Sequence, residues 1–310
     1  MRALVLPDFN ATPALGEVDL PEPGDGEVRV RVHAASLNGF DLAEIAGWFT
    51  NWFEHRFPLV LGKDFAGTVD ALGPGVSDFA VGDRVFGVVT KPWLGDGSLG
   101  EFVTVPTAVG VASLPDSIGF EEGAALGLAG SAALACVAQA SLDADRTVFV
   151  VGATGGVGQQ VVQLASATGA RIIATAHTEA DRALLLRLGA HEVVDHEADA
   201  VASVLTAHPQ GVDVVMHLAG DAASLLPAVR DEGTLVSTLV TSPDQLPATT
   251  ATLVTIYANP TPEVLAQLAS NQATQRTRVT IQHTYPLDEV ADAFSAFAAG
   301  THGKLVVTIP

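Results

Sequence analysis

One stretch decides how this chain folds: Val148-Phe149-Val150-Val151-Gly152-Ala153-Thr154-Gly155-Gly156-Val157-Gly158. An apolar run of strand length breaks into glycines, and apolar residues at helical spacing follow, including Val161 and Leu164. Gly169 ends that helical pattern just before the next apolar run, Arg171 to Ala176. The order strand, tight turn, helix, strand predicts a βαβ unit.

The glycine spacing in this stretch is G-x-x-G-x-x-G, and each glycine has a physical use. One permits the turn, one lets the backbone approach a phosphate, and one lets the helix pack closely on the strand. The free N–H groups at the start of the helix would hold a pyrophosphate. We therefore predict a dinucleotide cofactor site, the alternative being a glycine-rich turn that binds nothing. The predicted cofactor-binding residues are Gly152, Ala153, Thr154, Gly155, Gly156, Val157 and Gly158.

Composition bounds the class of protein. The 310 residues are 48% hydrophobic, which is enough to bury the core of two domains or of one elaborate domain. The net charge of -20 argues against a nucleic-acid or anionic-membrane partner. We expect a cytoplasmic protein, because residues 1–7 resemble a strand rather than a signal peptide and no apolar run reaches the length of a membrane span. The single cysteine, Cys136, excludes an internal disulfide and is predicted to be a small buried core residue.

The residue pattern changes at about Pro115. Before it, Val28, Val30 and Val32 alternate with polar residues, and further short apolar runs are separated by turn signals, which predicts an antiparallel barrel or sandwich. After it, we predict a helix over 121–140 with a break near Gly130.

Beyond the glycine stretch, apolar strands alternate with helices, including helices predicted over 178–188, 198–207 and 222–229. This alternation predicts a parallel sheet covered on both faces. The tail over 278–309 has β character again and is predicted to return to the first domain.

Several motifs in order resemble the zinc-free quinone oxidoreductase branch of the medium-chain dehydrogenase/reductase superfamily. They are residues 57–69 (FPLVLGKDFAGTV), residues 81–87 (VGDRVFG), the glycine loop and residues 300–304 (GTHGK). The resemblance implies an α/β fold with a GroES-like β-rich catalytic domain, 1–116 with 276–310, and a Rossmann doubly wound NADP-binding domain, 117–275. It also implies NADPH as the hydride donor, an active site in the cleft between the domains, and Ala219 and Lys304 as further cofactor-binding residues.

The same resemblance bears on metal and mechanism. Where zinc-dependent relatives carry a cysteine and Gly-His-Glu, this chain has Asn38 and Gly62-Lys63-Asp64, and a lysine ammonium cannot ligate zinc, so we expect no metal. Hydride transfer to a quinone or an α,β-unsaturated carbonyl is then the expected chemistry. Asn38, Asp41 and Lys63 are the predicted catalytic residues. Their alternatives are a helix cap for Asp41 and an ion pair with Asp64 for Lys63.

An aromatic group in the first half of the chain is predicted to line an apolar acceptor pocket, the alternative being a packed aromatic loop. Relatives often have a tyrosine in a Gly-x-Tyr pattern where this chain has Gly47-Trp48-Phe49, so the proton for the reaction would come from water. The predicted pocket residues are Trp48, Phe49, Trp52, Phe53 and Trp93.

Cofactor choice depends on the end of the second strand of the βαβ unit. An NAD site would place a carboxylate there, whereas this strand ends in Thr175-Ala176-His177. Thr178, Arg182 and His196 are predicted to bind the 2′-phosphate of NADPH. The alternatives are that Thr178 only caps a helix and that Arg182 only pairs with Asp181 or Glu179.

Two further expectations follow from the resemblance. We expect a homodimer formed through an edge strand near 252–257. A second function stays open, because fold does not determine function: an NADPH-binding structural or redox-sensing protein with little turnover.

Overall fold

The computed structural model describes residues 1–9, 11–196 and 199–310. Its strands are β1 (Arg2–Leu6), β2 (Ala14–Glu17), β3 (Glu27–Ser36), β4 (Glu54–Val60), β5 (Asp64–Leu72), β6 (Arg84–Val88), β7 (Trp93–Asp96), β8 (Phe102–Pro106), β9 (Val111–Ser113), β10 (Thr147–Val151), β11 (Arg171–Ala176), β12 (Glu192–Asp195), β13 (Val212–His217), β14 (Val229–Ser237), β15 (Thr252–Thr255), β16 (Ile281–Pro286) and β17 (Lys304–Thr308). Its α-helices are α1 (Gly39–Ile45), α2 (Phe120–Gln139), α3 (Gly156–Ser166), α4 (Glu179–Arg187), α5 (Ala200–Ala207), α6 (Ala222–Leu225), α7 (Pro262–Ala273) and α8 (Val290–Ala298).

The chain folds into two compact units, residues 1–131 with 260–310 and residues 132–259. The predicted domain boundaries were 116/117 and 275/276, so the first unit also takes in the start of α2 and the whole of α7. Close packing explains this difference. A Cβ built on Gly127 of α2 would lie 2.7 Å from Asp64 Oδ1, and one on Gly130 would lie 2.8 Å from Leu268 Cδ2 of α7.

In the described residues of the first unit, the strands form two sheets. The larger has the order β16-β17-β3-β5-β6-β9 with β8 paired to β3, and the smaller has the order β2-β1-β4-β7. Pairing is antiparallel except for β16–β17 and β4–β7, which broadly agrees with the predicted barrel or sandwich. The valines at 28, 30 and 32 of β3 are buried, as their alternation predicts.

The tail returns to the first unit, as predicted. Strand β17 pairs antiparallel with β3, opposing Val306 to Ser36, and β3 pairs antiparallel with β5, opposing Ser36 to Asp64. Three chain segments that are far apart in sequence therefore meet at this end of the sheet.

The described residues of the second unit form a parallel sheet of six strands in the order β12-β11-β10-β13-β14-β15. Counted along the chain within the unit, the order is 3-2-1-4-5-6, the doubly wound arrangement that the family resemblance implies, and the sheet is parallel as the alternation of strands and helices predicts. The strand order reverses at β10, whose two neighbours, β11 and β13, lie one step and three steps later in the chain. Ligands of such sheets bind at this reversal, beyond the carboxyl ends of the strands.

Several predicted elements differ in the structure. Helix α2 is continuous, so the break predicted near Gly130 is wrong: this glycine serves close packing against Leu268. The helix predicted over 222–229 is shorter: α6 ends at Leu225, a 3₁₀ turn over 226–228 follows, and β14 begins at Val229. Helix α5 begins at Ala200, and the predicted start at Ala198 lies outside the described residues.

Helix α2 also bears on the membrane question. It is long and apolar enough to cross a membrane by length and composition alone, contrary to the expectation that no segment reaches that length. However, 61% of its most apolar window is buried inside the protein, as in the core helix of a globular domain.

Candidate active site

The glycine loop follows β10 at the reversal of strand order. Gly152 has φ of 80°, a left-handed conformation that glycine adopts without steric cost. Its N–H donates to Thr175 Oγ1 at 3.1 Å, which ties the loop to the neighbouring β11. Gly155 is the N-cap of α3, so the unpaired N–H groups of the first helical turn begin directly after it.

The three glycines have different surroundings. A Cβ on Gly158 would lie 2.2 Å from Gly152 O, so this glycine is required for the helix to pack on the loop. A Cβ on Gly152 would lie 2.9 Å from Ala219 Cβ, which brings the predicted residue Ala219 beside the loop. A Cβ on Gly155 would meet no described atom within 4 Å except Gly152 O, at 3.6 Å. Gly155 therefore borders open space, which leaves room for a group such as a pyrophosphate to approach the backbone.

The remaining loop residues present backbone rather than side chain. Ala153 and Thr154 are buried, while Gly156 and Val157 are partly exposed at the start of α3. Any cofactor contact with this loop would accordingly be made through its N–H groups, with the positive end of the α3 dipole behind them.

At the end of β11, the predicted capping box is present. Thr178 Oγ1 accepts from Asp181 N–H at 3.1 Å and donates to Asp181 Oδ2 at 2.8 Å. The capping alternative therefore holds for Thr178, and its hydroxyl proton is in use. Arg182 Nε lies 3.6 Å from Glu179 Oε1, with the two side chains 38% and 92% exposed. Such an exposed pair is weak, so the guanidinium of Arg182 is available to a phosphate.

Two exposed histidines meet at the same corner of the sheet. The rings of His177 and His196 have centroids 4.2 Å apart, because β11 and β12 are neighbours and end together. His196 N–H donates to Ala176 O at 2.8 Å, which holds the two segments side by side. Sequence reasoning named His196 and treated His177 only as the strand end. The signal that could have found it is the position itself, where an NAD site would have its acid.

In the first unit, Asp64 is the centre of a buried polar network. Its carboxylate accepts from Ser36 Oγ at 2.8 Å, from Asn38 Nδ2 at 2.9 Å and from Leu128 N–H at 2.7 Å. Lys304 Nζ pairs with it at 3.2 Å. The ion pair suggested for Lys63 and Asp64 is thus replaced by one between Lys304 and Asp64, because β17 and β5 flank β3.

Lys304 and Asn38 are fully engaged in this network. Lys304 Nζ also donates to Leu37 O at 2.9 Å and to Asn38 Oδ1 at 2.6 Å, so its three donors are used inside the first unit. The amide of Asn38 bonds to Lys304 and Asp64. In this arrangement, every N–H donor of the Lys304 ammonium and of the Asn38 side-chain amide is hydrogen-bonded within the first unit. Lys304 was predicted to bind cofactor and Asn38 to be catalytic, and these contacts establish a structural role for both.

Asp41 and Glu44 are the buried residues of helix α1, and the charge of Lys63 acts on both of them. Asp41 Oδ2 accepts the N–H of the N-cap residue Asn38 at 2.8 Å, so Asp41 reaches back from inside the helix rather than preceding it. Among the residues the structure describes, its buried Oδ1 has no hydrogen-bond partner. Sequence reasoning missed Glu44, whose signal is its spacing of three residues from Asp41.

Burial dominates the electrostatics of this group. It raises the pKa of Asp41 to about 7, although the hydrogen bond from Asn38 opposes the shift. Burial, assisted by the charge of Asp41, raises the pKa of Glu44 to about 8. Burial lowers the pKa of Lys63, against the opposing effect of Glu44, Asp41 and Asp64. Because each group is taken out of water, its pKa moves in the direction that favours the uncharged form.

The predicted aromatic pocket is brought together in part. Phe49 stacks on Phe40 with centroids 4.3 Å apart, and it contacts Trp52 and Phe53 at 6.4 and 6.2 Å. Trp52 is 56% exposed and Trp48 75% exposed. Lys63 Nζ lies 4.9 Å from the Phe40 ring centroid, so the aromatic group adjoins the buried acids.

Trp93 is not part of that aromatic group in the described structure. Arg56 lies over its ring at 3.7 Å from the centroid, and its Nε1 donates to Asp96 at 3.1 Å. Pairing of β7 with β4 places it there, and the prediction that it lines the same pocket is not supported by its contacts. Two surface cavities of the first unit, of about 260 and 600 Å³, contain none of the predicted site residues.

The described residues also show the surroundings of Cys136 and whether side chains are grouped to bind a metal ion. Cys136 is buried, and burial raises the pKa of its thiol to about 12, so it is a core residue rather than a nucleophile. Within residues 1–9, 11–196 and 199–310, no three His, Cys, Asp or Glu side chains are grouped so that they could hold a metal ion.

A parallel sheet with a glycine loop at its reversal, linked in the chain to a unit of mostly antiparallel strands, is typical of dehydrogenases and reductases that use a nicotinamide cofactor. Family models agree: the alcohol dehydrogenase GroES-like domain matches residues 24–116, and the zinc-binding dehydrogenase model matches residues 156–258. The quinone oxidoreductase of Sus scrofa is 30% identical over 310 residues, which covers 94% of this chain and 92% of that protein.

Solved structures give the same result. The quinone oxidoreductase from Coxiella burnetii matches with a TM-score of 0.88 and 26% identity, over 100% of this chain and 99% of that one. An NAD-dependent alcohol dehydrogenase matches with a TM-score of 0.84 and 25% identity, over 100% of both chains. The chain belongs to the medium-chain dehydrogenase/reductase superfamily, in its zinc-free quinone oxidoreductase branch.

Proposed function

We propose that this protein is an NADPH-dependent oxidoreductase that reduces a quinone or an α,β-unsaturated carbonyl without a metal ion. The observation that carries the proposal is the corner formed by β10 and β11. There Gly155 borders open space at the start of α3, and His177 stands where an NAD site would have a carboxylate.

The cofactor would be held by the backbone of the loop 152–158 and, at its 2′-phosphate, by the groups that end β11 and β12. When bound, the nicotinamide supplies a hydride. Arg182 supports the choice of NADPH, because redirecting its guanidinium from Glu179 would cost only about 0 to 1 kcal/mol. His177 and His196 can donate to a phosphate, whereas Thr178 contributes only if its capping box opens.

The acceptor would lie on the aromatic group of Phe40, Phe49, Trp52 and Phe53. Stacked and partly exposed rings suit a flat, apolar acceptor. Lys63, beside the Phe40 ring, can stabilise negative charge that develops on a carbonyl oxygen, which is the task a metal performs in other enzymes. Metal-independent action is further supported by Asp64, whose oxygens are already taken by Lys304, Asn38, Ser36 and Leu128.

One experiment tests the function. The purified protein is mixed with NADPH, or with NADH as the control, and a panel of ortho- and para-quinones and conjugated enals, while nicotinamide absorbance is followed with and without a strong chelator. We expect oxidation of NADPH in preference to NADH, unaffected by the chelator. NADPH binding without oxidation by any acceptor would favour the structural or redox-sensing alternative, and loss of turnover on chelation would contradict metal independence.

We also propose that the protein is a cytoplasmic homodimer. In the described residues β15 pairs with β14 alone, which leaves its other edge open to a second copy, and the nearby Tyr257 is 61% exposed. Light scattering of the purified protein would test the dimer, and a monomer at all concentrations would contradict it.

A further inference from the structure

Helix α1 is unusual in what it buries. Its buried side chains are two acids, Asp41 and Glu44, where a short helix on a β sheet would normally bury apolar residues. Because they are three residues apart, they lie on the same face of the helix. Glu44 is only 2% exposed and Asp41 is fully buried.

Charge balance constrains this group. Lys63 is the ammonium that acts on both carboxyls, whereas Lys304 acts on Asp41 alone and the charge of its partner Asp64 opposes that effect. Two buried carboxylates against one ammonium would leave an uncompensated buried negative charge, which is costly. A proton on one carboxyl removes that charge, and the raised pKa values of Asp41 and Glu44 agree with its retention near neutral pH.

The hydrogen bonding of this group of residues is also incomplete. Asp41 Oδ1 is buried and accepts no hydrogen bond from any described residue, whereas every polar atom of the neighbouring Lys304 side chain is used. Lys63 links the acids to the aromatic group through Phe40. The two acids therefore lie next to the place where the proposed acceptor would bind.

We propose that Asp41, Glu44 and Lys63 form a buried proton store that protonates the reduced acceptor. The proposal rests on the function proposed above. Addition of a hydride to a quinone or enone moves the electron pair of the attacked double bond onto the carbonyl oxygen. Lys63 gives a proton to that oxygen, so that an N–H bond breaks and an O–H bond forms. The Glu44 carboxyl then returns a proton to the Lys63 amine and is itself reprotonated from water.

The first test observes the stored proton directly, without cofactor or acceptor. Infrared spectra of the parent at about pH 7 should contain the carbonyl band of a protonated carboxylic acid, which ordinary exposed acids lack at that pH. Glu44→Gln should reduce the band and Glu17→Gln, an exposed control, should preserve it. Absence of the band in the parent, or an equal band in Glu44→Gln, would overturn the proposal.

The second test measures proton delivery. In the parent, the rate of acceptor reduction should fall with rising pH as the stored proton is lost. In Glu44→Gln, acceptor reduction should slow by about tenfold to a hundredfold, NADPH affinity should be unchanged, and this dependence of the rate on pH should disappear. Lys63→Arg, which keeps the charge but cannot release a proton, should slow reduction to a similar extent. Unchanged rates and pH profiles in both variants would overturn the store while the proposed function stands. A parent that reduces no acceptor would remove the proposed function and, with it, the delivery step, even where the infrared band is present.

Discussion

Two buried polar groups lie next to each other in the first unit and differ in how completely they are satisfied. Around Asp64, four donors meet one carboxylate, and Lys304 uses all three of its own. Around Asp41 and Glu44, Lys63 is the ammonium that acts on both acids, and a buried oxygen of Asp41 has no described partner. A satisfied network rigidifies a fold, whereas an unsatisfied one has groups available for chemistry.

The glycine loop of the second unit shows the same contrast in the backbone. Gly158 is required for packing, since a Cβ at this position would overlap Gly152 O. Gly155 has no such neighbour and borders open space. In both units, the group assigned to function is the one that is not required for packing and is not fully hydrogen-bonded within the fold.

The largest effect is expected where the satisfied network is broken. Lys304→Met would leave the Asp64 carboxylate buried without its counter-ion, so the free energy of unfolding should fall by about 3 to 5 kcal/mol. Urea denaturation measures this, with Arg171→Met as control because the side chains of its pair with Glu192 are 56% and 28% exposed, far more than those of Lys304 and Asp64. Equal losses in the two variants would show that the Asp64 network is not special.

The glycine pair should separate folding from binding. Gly158→Val should lower the free energy of unfolding by about 1 to 3 kcal/mol or more, because its side chain would overlap the loop backbone. Gly155→Val should lower it by less than about 1 kcal/mol, because φ of -72° and ψ of 173° suit any residue and only the N-cap preference for glycine over valine is lost, yet it should abolish measurable NADPH binding. Denaturation and calorimetric titration distinguish these outcomes, and tight NADPH binding by Gly155→Val would exclude this loop as the phosphate site.

Arg182 tests whether a weakly held surface group is available to the cofactor. Loss of a charge-assisted contact of about 1.5 to 3 kcal/mol should raise the Kd for NADPH by roughly one to two orders of magnitude in Arg182→Ala. The Kd for NADH should barely change. Arg187→Ala, on the last turn of the same helix, is the matched control. An equal effect on both cofactors would refute the 2′-phosphate assignment.

The smallest expected effect concerns pH. Because the folded-state pKa of Glu44 is raised, the folded protein binds more protons than the unfolded chain between about pH 4 and pH 8, and its stability falls as pH rises through that window. Glu44→Gln removes this contribution. The free energy of unfolding of the variant, relative to that of the parent, should therefore increase by about 1 to 2 kcal/mol from about pH 5 to about pH 8. Denaturation at these two pH values measures the gain. Parallel pH profiles for parent and variant would mean that Glu44 titrates normally.

Much of the fold could be predicted from local patterns. The alternating valines of β3 and the helix cap at Thr178 occur as expected, because periodicity and capping depend on neighbouring residues alone. Gly130 misled the helix prediction because a helical glycine can mark either a break or a close contact. Only the position of Leu268, 138 residues away in the chain, decides between these.

The sequence by itself determined the glycine loop, the parallel sheet around it and the family, since these depend on short motifs in a set order. Only the tertiary structure decided which polar side chains have all their hydrogen-bonding groups paired within the fold and which do not. Lys304 reaches Asp64 because β17 pairs with β3, Trp93 leaves the aromatic group because β7 pairs with β4, and Glu44 is buried beside Lys63. Hydrogen bonding and burial depend on contacts between distant segments, and local sequence patterns do not specify those contacts.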